Sequence, residues 1–152
     1  MPADDAAATP VAVVGAGTIG RGMAIVFARG GHPVRLFDPE PAALTAALPA
    51  IGERLVALAE FGLLNEPAAA LQGRIVPVTS LSVAVAGADL VHEYAPEDRA
   101  LKADLFAALD RLAAPATVLA SASSAIPISA IAATLPGRAR CLGAHPGNPP
   151  FL

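Results

Sequence analysis

The chain has 152 residues, 55% of them hydrophobic and 15% charged, with a net charge of −3. A domain of this length buries roughly 70% of the surface that its unfolded chain exposes, and so apolar a composition excludes intrinsic disorder. The acidic balance and the scattered arginines exclude the basic stripe of a nucleic-acid binder.

Cys141 is the single cysteine, so no disulfide closes within the chain, and a reducing, cytoplasmic compartment is the expectation. Asp4 and Asp5 stand where a secretion signal carries Lys or Arg, and no apolar run approaches the ~20 residues of a membrane span. No membrane association is expected.

In chain order, Val11 to Val14 is a β-branched run between Pro10 and Gly15, the pattern of a strand buried on both faces. Ile19, Met23, Val26 and Phe27 then recur at helical spacing until Gly30-Gly31. Val34 to Phe37 forms a second strand that ends on Asp38, completing a βαβ unit. Pro41 to Gly73 has no strand signal and predicts two helices broken near Glu60 to Pro67, the first weakened by Pro49. Alternation resumes with a strand at Ile75 to Val78, a short helix near Ser82 to Ala86 and a strand at Asp89 to Glu93. Pro96, Glu97 and Asp98 open a helix whose apolar stripe is Leu101, Leu105, Leu109 and Leu112. Strands at Thr117 to Ala120 and Arg140 to Ala144, with a short helix around Ile128 to Ala133 between them, finish the chain. The expectation is one α/β domain over residues 1–152, with residues 1–9 a flexible N-terminus. Its sheet is a Rossmann-type, doubly wound, mostly parallel one that binds ligands at the carboxyl ends of its strands.

Gly15-Ala16-Gly17-Thr18-Ile19-Gly20 is a G-x-G-x-x-G between a strand and a helix. Gly15 permits the tight turn, Gly17 admits a pyrophosphate close to the backbone, and Gly20 allows helix and strand to pack closely. Thr18 and Ile19 open the helix whose amides face the anion. Asp38, ending the second strand, suits a ribose hydroxyl pair and would repel a 2′-phosphate, so NAD is expected over NADP. FAD uses the same fingerprint and ranks behind, because flavoproteins need a longer chain to cover the ring.

Hydride transfer from an alcohol needs a base for the hydroxyl proton, and imidazole is the usual one. His32 lies in a turn and reads as a solvated loop residue, while His92, inside a strand, reads as a packed core residue. His145 follows the last strand at its carboxyl end, and position alone leaves it open between catalysis and a loop role.

The glycine loop, the run Asp89-Leu90-Val91-His92-Glu93 with Pro96-Glu97, the helix through Leu109, the cluster Ser121-Ala122-Ser123-Ser124 and His145-x-x-Asn148-Pro149 occur together in this order. They resemble the 3-hydroxyacyl-CoA dehydrogenase family over essentially the whole chain. The resemblance implies His145 as general base, Ser124 as the substrate-orienting serine, and Asn148 near the reacting centre. It also implies Asp38 on the adenosine ribose and Glu93 and Ala95 beside the cofactor. Without it, Ser124 reads as a helix cap before Ile128.

The family's histidine is oriented by a glutamate about a dozen residues downstream, and its C-terminal helical domain covers the substrate and forms the homodimer; this chain stops at Leu152, before both. The expectation is a chain that binds NAD but turns over poorly. Pro146 and Pro150 resemble the L-gulonate and L-carnitine dehydrogenase branches, and the helix after Asp38 lacks the lysines of CoA-using relatives. A 3-hydroxyacyl-CoA and a non-CoA 3-hydroxy acid both stand as substrates. A non-catalytic NAD-binding protein, as in lens crystallins of the family, is the other reading. A lysine-based hydroxyacid dehydrogenase is set aside, since Lys102 lies mid-helix, away from the strand ends.

Overall fold

A computed structural model describes residues 8–151; Asp4, Asp5, Leu152 and most of the expected flexible N-terminus lie outside the described residues. Thr9 is tied down at both ends, its hydroxyl donating to Asp89 (2.6 Å) and its carbonyl lying 3.2 Å from Nδ1 of His32.

Six strands form one sheet: β1 (Val11–Val14), β2 (Val34–Phe37), β3 (Ile75–Val78), β4 (Leu90–Glu93), β5 (Val118–Ser121) and β6 (Cys141–Gly143). Their spatial order is β3-β2-β1-β4-β5-β6, every pair parallel. This is the doubly wound order, with its switch point between β1 and β4. β1 is buried throughout because helices cover both of its faces. Val13 packs with α1 (Thr18–Arg29), α2 (Pro41–Glu60) and α3 (Ala68–Gly73); Ala12 and Val14 pack with α4 (Leu81–Val85), α5 (Arg99–Leu112) and α6 (Ile128–Ile131).

Two helices face the core differently from the expectation. On α1 the fully buried positions are Ala24, Ile25 and Ala28, with Met23 beside them, while Ile19, Val26 and Phe27 stay at the margin. Small residues let the helix approach the sheet, so the bulky ones are pushed to its flanks. On α5, Leu101 and Leu112 are exposed, and the inward positions are Lys102, Phe106 and Leu109. The helix is turned toward Lys102 because the ammonium finds partners at the end of β4. Asp98 caps α5 by accepting from the amide of Leu101 (2.9 Å), while Pro96 and Glu97 remain outside the helix.

α2 runs unbroken through Pro49, which faces solvent with Thr45, whose carbonyl loses its helical donor there. By length and composition alone α2 is long and apolar enough to cross a membrane, contrary to the expectation that no apolar run approaches that length. Its Leu44, Ala47, Ile51, Leu55 and Leu58 instead form a buried stripe on the sheet.

Candidate active site

The first turn out of β1 makes a cradle. Gly15 has φ +113°, and a Cβ there would lie 2.8 Å from the Tyr94 carbonyl oxygen. A Cβ on Gly20 would lie 1.9 Å from the Gly15 carbonyl oxygen. Only hydrogen fits at either position. At Gly17 a Cβ would meet nothing within 4 Å, so its glycine is not required by packing inside the protein. That outer space is where a ligand can approach the backbone. No side chain caps α1, leaving the amides of Thr18 and Ile19 directed at that space with the positive end of the helix.

Asp38 stands at the end of β2, half-buried. Its carboxylate accepts from the amides of Ala16 (2.8 Å) and Glu40 (2.9 Å), which fixes it against the glycine loop. A diphosphate on the amides and a ribose on this carboxylate fit the residues present. The chemistry of the donor set is that of a dinucleotide site.

Across the switch point, the ends of β4, β5 and β6 line a cleft of about 330 Å³ with Ile19 of the loop. Tyr94, Ala95, Glu97, Lys102, Ala122, Ser124, His145, Pro146 and Asn148 form its other walls. Ser124 Oγ lies 2.8 Å from His145 Nε2, and both side chains are exposed to the cleft. The two residues singled out as base and orienting serine are thus in hydrogen-bond contact, although 21 positions apart. Ser124 does not cap a helix; the loop is instead tied by Ser123, whose Oγ accepts from the amide of Ile126 (2.9 Å).

Glu93 has no surface of its own in the cleft, being 0% exposed. It supports the floor from beneath: Oε1 pairs with Lys102 Nζ at 2.6 Å, and Oε2 accepts from Ser121 Oγ at 2.7 Å. Ala95, by contrast, lines the cleft, and its carbonyl accepts from Lys102 at 2.9 Å. The placing of Lys102 away from the strand ends is therefore corrected. Its backbone is mid-helix, but the long side chain reaches the carboxyl end of β4, where it is 1% exposed.

Two further residues escaped the sequence reading as parts of the site. Glu97 accepts from Ser123 Oγ and from the amide of Ala125 (3.0 Å), and so holds the loop that carries Ser124. The hydrogen bond from Ser123 lowers its carboxyl below the usual range, with help from the Ala125 amide. Ser121 anchors Glu93. Their signal was the Pro96-Glu97 pair and the serine cluster, neither of which specifies a long-range partner.

His92 is buried, as expected, with hydrogen-bond partners at both ring nitrogens, Ala144 O and Tyr94 OH. Burial lowers its pKa below the model-peptide 6.5. The unfolded chain then binds the proton first, so stability is complete above about pH 6.5 and falls as the pH drops through the folded value. Asp110, held low by Arg140, and Glu97 add a second loss below about pH 4.5. The urea midpoint is expected to be level from about pH 8 to about pH 7 and to decline toward about pH 5, less steeply in His92→Gln. Equal slopes in the two proteins would remove His92 as the cause.

The fold and the glycine cradle define a dinucleotide-binding domain. Residues 10–152 match the family model described as 3-hydroxyacyl-CoA dehydrogenase, NAD binding domain. The chain belongs to this family and is its NAD-binding domain. It is 41% identical over 143 residues to the lambda-crystallin homolog of Bos taurus, covering 93% of this chain and 44% of that protein. It is 42% identical over 140 residues to the 3-hydroxyadipyl-CoA dehydrogenase of Escherichia coli K12, covering 91% of this chain and 29% of that protein. Among solved structures, the 3-hydroxybutyryl-CoA dehydrogenase of Escherichia coli K12 superposes with a TM-score of 0.87 at 40% identity, covering 93% of this chain and 30% of that one. The chain therefore spans less than half the length of these relatives.

Proposed function

We propose that this domain serves an NAD-dependent oxidoreductase that converts the 3-hydroxyl of a 3-hydroxyacyl-CoA, or of a related 3-hydroxy acid, to the 3-keto product. The observation that carries the reading is the Ser124–His145 contact of 2.8 Å at adjoining strand ends, in the cleft that reaches Ile19 of the glycine loop. In its neutral form with the proton on Nδ1, His145 accepts at Nε2 from a hydroxyl, the geometry a general base needs. Ser124 shares that position and orients the substrate oxygen, with Asn148 on the same cleft wall. Bound NAD would supply the hydride acceptor. Gly17, Thr18 and Ile19 would hold its diphosphate and Asp38 its adenosine ribose.

His145→Gln is expected to lower turnover by about 10²–10⁴-fold, the usual share of a positioned acid–base group. The NADH dissociation constant, read by calorimetry, is expected to stay within about threefold. Undiminished turnover would overturn the catalytic reading and favour a binding-only role, in line with the lambda-crystallin relatives.

A non-CoA substrate is the second reading. α2 offers no lysine, and its Arg54 is engaged over the ring of Phe151 at 4.6 Å from the centroid. 3-Hydroxybutyryl-CoA, L-gulonate and L-carnitine, compared by NADH formation, separate the two. A cytoplasmic location, expected from the single cysteine, and homodimerisation through a C-terminal domain, as the family resemblance implies, belong to the same proposal.

A further inference from the structure

The residue that precedes His145 is gripped from two strands. The amide of Ala144 donates to the Ser121 carbonyl of β5 at 2.8 Å. The carbonyl of Ala144 lies 2.9 Å from Nε2 of His92, on β4. β4 and β6 are not neighbours, so the imidazole must cross the end of β5 to reach Ala144. The register partner of His92 on β5 is Ala120, whose methyl group leaves room for the crossing. At the other ring nitrogen, Nδ1, the hydroxyl of Tyr94 lies at 2.6 Å.

The protons in this chain of bonds are determined. A carbonyl only accepts, so Nε2 of His92 carries the hydrogen, and Nδ1 accepts from the Tyr94 hydroxyl. Burial pushes the Tyr94 phenol far above its usual range, keeping it a donor, and burial keeps the imidazole neutral. The Tyr94 ring lies 4.5 Å from the His92 ring, centroid to centroid, and Phe27 packs on His92 in an edge geometry at 6.1 Å. Tyr94 also reaches the cofactor cradle: its amide donates to Val14 at 2.7 Å, and its Cβ lies 3.2 Å from where a Gly15 Cβ would stand. One unbroken series of contacts therefore joins the glycine loop, Tyr94, His92, Ala144 and His145.

We propose that His92 and Tyr94 form a positioning pair that sets His145 against the cofactor loop, a role that rests on reading His145 as the base. Neither residue touches the reacting atoms through its hydrogen bonds; each acts through the Ala144 peptide. An apolar pair at these positions would fill the same space and leave that carbonyl, and the side chain after it, free to rotate.

The test uses this chain with ¹⁵N-labelled histidine. Long-range ¹H–¹⁵N correlation spectra report the tautomer of each imidazole. His92 is expected to show the Nε2–H tautomer, and His145 a single tautomer paired with Ser124. In Tyr94→Phe and in His92→Leu, the His145 ring shifts should move to tautomer-averaged values. His92→Gln can donate to Ala144 and accept from Tyr94, and should keep the original His145 signature. Unchanged His145 shifts in Tyr94→Phe overturn the proposal, as does equal loss in His92→Gln, which would mark the pair as packing alone. Tyr94→Phe carries the test if His92→Leu does not fold. Turnover retained by His145→Gln overturns the base and leaves these spectra as they are, so the two failures are distinguishable.

Discussion

Replacing Lys102 with alanine is expected to lower the unfolding free energy of this chain by about 3–5 kcal/mol, the usual cost of removing one partner of a buried ion pair. Lys102 is 1% exposed and Glu93 0%, and their 2.6 Å contact has no solvent to screen it. Attraction between the two is offset by the cost of taking both from water, so the pair itself adds little net stability. The loss comes from the carboxylate left behind. Ser121 Oγ and the amide of Ala95 would still donate to Glu93, satisfying its lone pairs without neutralising its charge. A double variant, Lys102→Met with Glu93→Gln, should therefore lose much less, since the amide oxygen can accept from Ala95, its NH2 can donate to Ser121 Oγ, and the group carries no charge. Urea unfolding at neutral pH measures both. A loss under about 1 kcal/mol in the single variant, the range of an exposed pair, would show that the site is not dry.

The same ion pair marks the boundary of what the sequence made legible. Strand and helix alternation, the parallel sheet and the glycine loop follow from local signals, because hydrophobic period and glycine placement act within a few residues. The orientation of α5 did not follow, since a leucine stripe signals an inward face and nothing local in the sequence signals a buried lysine. Lys102 reverses this through a partner nine positions away, in another element. Glu93 was placed beside the cofactor by family resemblance alone, and nothing local in the sequence signals that its carboxylate pairs with the Lys102 ammonium. His145 and Ser124 were linked by family resemblance; their spacing along the chain carries no statement of contact. The Tyr94–His92–Ala144 series joins β4 to the end of β6 across β5, a relation visible only once strand order and register are known. Local pattern specifies elements, and long-range polar pairs specify how their ends meet.

The two glycines of the cradle should separate folding from cofactor binding. A Cβ on Gly20 would lie 1.9 Å from backbone, the Gly15 carbonyl oxygen, which no side-chain rotation relieves. Gly20→Ala must therefore displace α1 from β1, lowering stability by about 1–3 kcal/mol, the range for overpacking a tight site, and disturbing the helix amides as well. Gly17 has φ −69°, which any residue adopts, and a Cβ there meets nothing within 4 Å. Gly17→Ala should leave the urea midpoint unchanged. Its methyl group would nevertheless stand in the space where a pyrophosphate approaches the loop, keeping phosphate oxygens from hydrogen-bond distance of the Thr18 and Ile19 amides. Losing two or more charge-assisted bonds, each worth about 1.5–3 kcal/mol, corresponds to a fall in NADH affinity of about 10²-fold or more. A Gly17→Ala protein that folds normally and binds NADH as tightly as the parent would mean that the diphosphate does not lie on this helix end. The dinucleotide would then have to be held elsewhere, and the cleft beside His145 would lose its hydride acceptor.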